Sequence, residues 1–569
     1  MENVRPTATL ERFPMIPAPG KVTLCEVANL VRTLNASEIG PVDFSLYLNF
    51  PETYHQIMGS NLKPIVPTKI PSIRVTDSVD NFIVSSHEGW IKGLWSSLLD
   101  GGVSEAMRFI NQEQNIPSSV RQVVASVVNF WDTLHKGRRK LVVRLYPHYG
   151  LDTEDLIEKY SSVRGWKNGW IRALSWHPTF SKLALALNDD SIRIFSNGTD
   201  DGFPYLKSPD QVRVSGLAWR PHMDRELAVA AEKGIIVWSL DASLKPTANR
   251  ARLLTASGHS PVTSVQYSAN GRHLLSSSSL DNSIYIWCSN TFEPFALHRY
   301  GGGGVPLARW SPSGNQIFSN TPTAAFKVWS ANKEWTPNRW KTSGLPVEAM
   351  CWAPDGGMII FASDSYLYTI LVLACEEDFV DVENARSAIP VFDLRTIQAL
   401  QEGTGDTFKV GGKVQQLCIS SCGTRLAILF QSSDVVALFR VQKRSPDYLY
   451  PLGFVRGFSQ EFPVAIEFQK NLDSGSALLT IAWSSTRLQH FPMVDNASLL
   501  TNRLQQEEQL NYYRSMAHNR TRDSSSSSAH NSLNISGAGV GAGGDYDNTS
   551  SFHQDHDMSA PRFKIFSSP

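Results

Sequence analysis

The sequence predicts an all-β protein, a seven-bladed β-propeller with an N-terminal helical segment and a disordered C-terminal tail. Three observations lead there. One phrase recurs seven times: an apolar residue, a spacer, an aromatic or large apolar residue, then often Pro and Gly. Successive copies stand 42 to 49 residues apart, with one interval of 67, and a four-stranded propeller blade takes roughly 40–45. Within each copy the apolar residues alternate, which marks half-buried strands rather than helices.

The elements follow in chain order. With 569 residues, the chain has room for such a ring and more. Residues 1–80 are Pro-rich and read as irregular. One strand candidate stands there, Lys21-Val22-Thr23-Leu24-Cys25-Glu26-Val27 (residues 21–27). A propeller has to close, so this strand either completes the last blade or lies isolated on the surface.

Residues 81–162 switch to helical periodicity. Ile91, Leu94, Trp95, Leu98 and Leu99 fall at i, i+3, i+4, i+7 and i+8, one apolar stripe. Gly101 and Gly102 stop that helix, and Ser104, Met107 and Ile110 begin another. Val120, Val124, Val127, Trp131 and Leu134 mark a third, and residues 152–160 a short fourth. A helical cap packed on the propeller is the simpler account of the stripe; a docking stripe for a partner helix is the sharper one. Lys136, Arg138, Arg139 and Lys140 make the one basic cluster, either a nuclear-import or phosphate-binding patch or a solvated helix C-terminus favoured by the dipole.

Residues 163–497 hold the ring. First strands end in the repeat aromatics Trp176, Trp219, Tyr267, Trp310 and Trp352, and in worn copies at Ile419 and Phe468. Pro and Gly then make a tight turn, because Pro presets one turn dihedral and Gly accepts positive φ. Third strands again end in large residues: Phe195, Trp238, Trp287, Trp329, Tyr368, Phe439 and Phe491. Packing between facing sheets is reason enough for these rings. The sixth copy is delayed by an insertion between Cys375 and Gly411. It opens with Glu376, Glu377, Asp378, Asp381 and Glu383, an exposed contact site or merely a solvated loop, and then offers a strand at 388–397. Residues 498–569 lose apolar content; 524–528 are all serine and 537–544 nearly all Gly and Ala. Such sequence cannot bury enough surface to offset ordering entropy.

Several function classes are excluded. Lys+Arg and Asp+Glu are both 53, so the chain has no basic excess for nucleic acid. The N-terminus lacks the apolar region of a signal peptide and the longest apolar run is about half a membrane span. Six Cys in so long a chain are no disulfide framework. Together these read as a soluble intracellular protein without membrane insertion. Gly539-Val540-Gly541-Ala542-Gly543-Gly544 matches a dinucleotide-binding spacing but lacks the flanking strand and helix. Cys418 and Cys422 have no second ligand pair for zinc. No nucleophile–base set stands out, so the expectation is a binding platform with no catalytic residue, metal or cofactor.

The third copy carries more than an aromatic. Gly258-His259, Ser277, Asp281 and Trp287 resemble the Gly-His to Trp-Asp pattern of WD-repeat blades. That resemblance implies that Asp281 orients His259 and that His259 and Ser277 link to the Trp287 indole N–H, a structural network rather than a catalytic dyad. A closer likeness covers roughly residues 20–495. Lys21-Val22-Thr23-Leu24, Tyr146-Pro147-His148, Glu154-Asp155-Leu156-Ile157, Trp176-His177-Pro178, Asp189-Asp190-Ser191-Ile192-Arg193, Gly258 to Val265 and Arg299-Tyr300-Gly301-Gly302-Gly303 resemble the aladin family of WD-repeat nucleoporins. The resemblance implies a non-enzymatic component of the nuclear pore complex at the nuclear envelope. It would bind an integral membrane nucleoporin and other pore proteins, support nucleocytoplasmic transport, and act in mitotic spindle assembly, with a cytoplasmic pool. A cytosolic WD-repeat adaptor, such as a ubiquitin-ligase substrate receptor, is the alternative from another class. Self-association stays open.

Overall fold

The computed structural model describes residues 8–37, 54–56, 72–75, 143–196, 205–240, 250–298, 303–331, 335–342, 345–371, 388–403, 405–442, 449–472 and 476–495. The stripe Ile91 to Leu99, the basic cluster at 136–140, the acidic stretch at 376–383 and the tail lie outside these residues.

Seven sheets, mainly of antiparallel strands, form the ring. Strands are lettered a to d from the axis outward. Blade one is Ile171–Trp176, Lys182–Leu187, Ile192–Ser196 and Tyr205–Leu206. Blade two is Gly216–Trp219, Glu226–Ala231, Gly234–Ser239 and Arg250–Ala256. Blade three is Val262–Tyr267, His273–Ser278, Ser283–Cys288 and Pro294–His298. Blade four is Ala308–Trp310, Gln316–Asn320, Ala325–Ser330 and Thr336–Lys341. Blade five is Val347–Trp352, Met358–Ser363, Tyr366–Leu371 and Ile389–Asp393. Blade six is Val414–Ile419, Arg425–Phe430, Val435–Val441 and Leu449–Arg456. Blade seven takes strands a to c from Pro463–Phe468, Ser476–Trp483 and Arg487–Val494.

The a–b hairpins show why Pro and Gly recur. Gly271, Gly314, Gly356 and Gly423 all have φ between 67° and 75°, and each donates its N–H to the carbonyl three residues back. An L-residue with a Cβ disfavours that conformation.

The fourth strand of blade seven comes from the other end of the chain. Lys21–Val27 pairs parallel with strand c, Glu26 against Met493 and Val27 against Val494. Leu30–Asn35 then adds a fifth strand antiparallel to it. The region expected to be irregular thus supplies strands to three blades. Ala8–Thr9 pairs parallel with strand d of blade five, and Ser72–Val75 with strand d of blade two. Tyr54–Gln56 pairs with strand c of blade seven. The strand expected at 388–397 is shorter, Ile389–Asp393, and Ile397–Leu400 instead forms a hairpin with Thr407–Val410.

The core lies between facing blades rather than at one centre. Phe13 extends it outward: its ring stacks on Phe454 at 4.6 Å and meets Phe439 edge-on at 5.0 Å.

Closure is held by a buried ion network. Glu26 is fully buried and Arg425, on strand b of blade six, is 2% exposed. The Arg425 guanidinium donates to both Glu26 oxygens, at 2.6 and 2.9 Å, and to Asp495 at 2.5 Å. The closing strand is therefore bonded by its backbone to blade seven and by a charge to blade six.

Candidate functional site

Blade three contains the expected polar network with one residue changed. His259 Nδ1 lies 2.8 Å from Asp281 Oδ2. His259 Nε2 lies 2.9 Å from Ser276 Oγ, and Trp287 Nε1 donates to that same oxygen at 2.9 Å. The hydroxyl is Ser276, not Ser277. Successive side chains of a strand point to opposite faces, so Ser277 faces away and its buried hydroxyl has no hydrogen-bond partner among the described residues. His259 is 2% exposed and Trp287 fully buried, which places the set inside the sheet and away from any substrate.

The repeat aromatics fall at two equivalent positions, the end of strand a and the end of strand c, and their indoles have different partners. Trp176 donates to Thr480 Oγ1 of blade seven, Trp219 to the Ser175 carbonyl of blade one, and Trp329 to Ser319 Oγ. Trp238 donates to Gln211 Oε1. The Trp310 and Trp352 indole nitrogens are buried with no partner among the described residues. Tyr267, almost entirely buried, donates its hydroxyl to Glu226.

The innermost strands enclose an axial funnel of about 690 Å3. In every blade the residue just before the large side chain of strand a lines it: Ser175, Ala218, Gln266, Arg309, Cys351, Cys418 and Glu467. A β-bulge begins strand a in blades one, three, five, six and seven. Bulges re-aim side chains; here those of Thr263, Glu348 and Gln415 reach the funnel.

At the end opposite the a–b hairpins, residues 146–166 cross the ring as a strap. His148 Nε2 donates to the Gly303 carbonyl at 2.6 Å, and the Tyr149 hydroxyl to Leu280. A Cβ on Gly303 would lie 2.4 Å from the Tyr146 ring, so only glycine lets the strap lie there. Helix Thr153–Tyr160 follows, with Leu156 and Ile157 buried. Its Glu154 pairs with Arg213 at 3.0 Å. Gln415 of blade six donates to the Ser161 carbonyl, Arg164 to Ser433, and Trp166 to Val214. Lys159, Tyr160 and Ser161 form the floor of the funnel. Burial of His148 lowers its pKa against the opposing pull of the Gly303 carbonyl, which keeps the imidazole neutral.

Burial also acts on the funnel's carboxyls. It raises Glu467 to about 7, although Lys470, the Trp176 N–H and Arg309 favour the anion. Glu348 rises to about 7 for the same reason, against Lys413 at 3.5 Å. The folded Glu467 therefore holds its proton up to a higher pH than in the unfolded chain, so its contribution to stability falls as pH rises from about 4.5 to about 7. Glu467→Gln is expected to gain about 1–2 kcal/mol on the wild type between pH 5.5 and pH 8. Urea denaturation at the two pH values checks this; a pH-independent difference contradicts it.

Sequence reasoning missed Arg309, Glu467 and Glu348. For Arg309 and Glu467 the available signal was a charge just before the large residue that ends strand a; Glu348 stands at a β-bulge that the sequence does not mark. Among the described residues no group of three His, Cys, Asp or Glu side chains could hold a metal ion.

Seven four-stranded blades, closed by the chain's own N-terminal strand and carrying one blade of the WD type, define a closed propeller scaffold. The family profile described as the Aladin seven-bladed propeller matches residues 152–494, and the chain belongs to that family. The protein named Aladin from Arabidopsis thaliana is 22% identical over 518 residues, covering 85% of this chain and 99% of its own length. The rice chromatin assembly factor 1 subunit FAS2 homolog is 26% identical over 174 residues, 29% of this chain and 34% of its own. A solved structure, the Cps50 (Swd1) β-propeller domain of Myceliophteria thermophila, covers 57% of this chain and 97% of its own at 13% identity and a TM-score of 0.42.

Proposed function

We propose that this chain is a non-enzymatic component of the nuclear pore complex. It is a propeller scaffold that binds an integral membrane nucleoporin at the nuclear envelope and supports nucleocytoplasmic transport, with a second role in mitotic spindle assembly and a cytoplasmic pool. The observation that carries the reading is the family match across the ring, joined to a likeness that runs the full length of the protein named Aladin. The strap adds support, because Tyr146, His148, Glu154 and Gly303, all within motifs that resemble the family, are among the residues that fix it to the ring. Among the described residues no helix is long and apolar enough to cross a membrane; attachment in this reading is through protein contact. The adaptor alternative has the ring alone for support.

Proximity labelling from the tagged full-length chain tests the reading. Enrichment of integral membrane nucleoporins over other nuclear-envelope proteins is expected. Enrichment of ubiquitin-ligase subunits without nucleoporins would replace it by the adaptor reading.

A further inference from the structure

The funnel carries charges that ring packing does not use. Arg309 sits on strand a of blade four, enclosed by the ring. Its Nη1 donates to Ser264 Oγ at 2.6 Å and to the Ala308 carbonyl at 3.3 Å. It forms no ion pair among the described residues; Glu467, on blade seven across the axis, acts on it only through space. Lys159, Lys413 and Lys470 also line the funnel, against Glu348 and Glu467. The lining thus has two more cationic than anionic side chains in a chain whose net charge is zero.

An enclosed guanidinium without a counter-ion is unfavourable. A carboxylate matches its donor fork and supplies the missing charge. The strap floors one end of the funnel, so approach is from the a–b hairpin end. There Phe180 and Met223 are 40% and 50% exposed, next to the rim residues Thr179 and His222. The volume is that of a small-ligand pocket and admits a few residues of extended chain, not a folded domain. A basic interior is the arrangement that reads acidic motifs, and Phe180 and Met223 add exposed apolar surface beside its mouth.

We propose that the axial funnel binds an acidic peptide segment of a partner protein, which enters past Phe180 and Met223 and sets a carboxylate on Arg309. The proposal goes beyond the pore reading, since it holds for whichever assembly the ring joins. It also has a pH signature. Glu348 and Glu467 lose charge as pH falls through about 7, which strengthens binding of an anion. The other charged groups facing the funnel are Lys159, Arg309, Lys413 and Lys470, with His222 at the rim.

Fluorescence anisotropy of a labelled hexaglutamate peptide, titrated with the full-length protein at pH 6 and pH 8, tests the proposal. Saturable one-to-one binding is expected, several-fold tighter at pH 6, with no binding of hexalysine. Arg309→Met should weaken it about tenfold or more. Lys470→Gln, at an exposed rim position, should weaken it about threefold and keeps the test decisive if Arg309→Met fails to fold. Absence of saturable binding, or wild-type affinity in every folded variant, overturns the proposal. Complete displacement by millimolar inorganic phosphate would assign the funnel to a small phosphate anion and overturn the peptide assignment.

Discussion

Replacing Arg425 by alanine is expected to destabilise the protein by about 3–5 kcal/mol, the range for breaking a buried ion pair from one side. The reason lies in what remains. Glu26 is fully buried and both its oxygens face the missing guanidinium. Asn29 donates its N–H to Glu26 Oε1, which offsets only part of the charge. Glu26 lies on the closing strand, so the damage goes to the seam between the two ends of the chain, and blade seven gains an open edge as the seam loosens. Paired replacement, Glu26→Leu with Arg425→Met, should recover much of the loss, because an apolar pair leaves no charge uncompensated. Denaturant titration of the two single variants and the double variant measures the coupling. Additive effects would show that the pair does not act as a latch.

Trp287→Ala is expected to be comparably severe, about 3–5 kcal/mol, as for other buried aromatics cut back to alanine. The indole is fully buried among Leu274, Val265 and Tyr267. His259→Ala should cost about 1–3 kcal/mol by leaving Asp281 and Ser276 with a lost partner. Ser276→Ala should resemble His259→Ala, whereas Ser277→Ala, which removes a hydroxyl with no partner among the described residues, should be nearly neutral. Thermal melts of the four variants check the order. Equal effects of Ser276→Ala and Ser277→Ala would show that the network is not formed as described.

That serine pair also shows how far the sequence reaches. Strand existence was legible, because alternating apolar residues between Pro- and Gly-bearing turns recur at blade spacing. Register within the strand was not. Ser276, Ser277, Ser278 and Ser279 are consecutive, and only the pairing of Ser276 with Tyr285 and of Ser277 with Ile284 decides which hydroxyl faces the indole. A strand at Lys21–Val27 was legible, though its sequence left open whether it closes the ring; Ala8–Thr9 and Ser72–Val75 were not legible at all. They are two and four residues long and become strands by lying along blades five and two. Their signal is in the partner strand, not in their own composition. The funnel failed to show for a third reason. Arg309, Glu348 and Glu467 stand in different blades, and only closure of the ring brings them round one axis.

The proposed role places this aladin-family ring at the nuclear pore. Imaging of the full-length chain, tagged and expressed at native level in interphase cells, tests it most directly. A punctate nuclear rim that coincides with pore markers is expected. A diffuse cytosolic signal from a tagged protein that melts like the untagged one would contradict it.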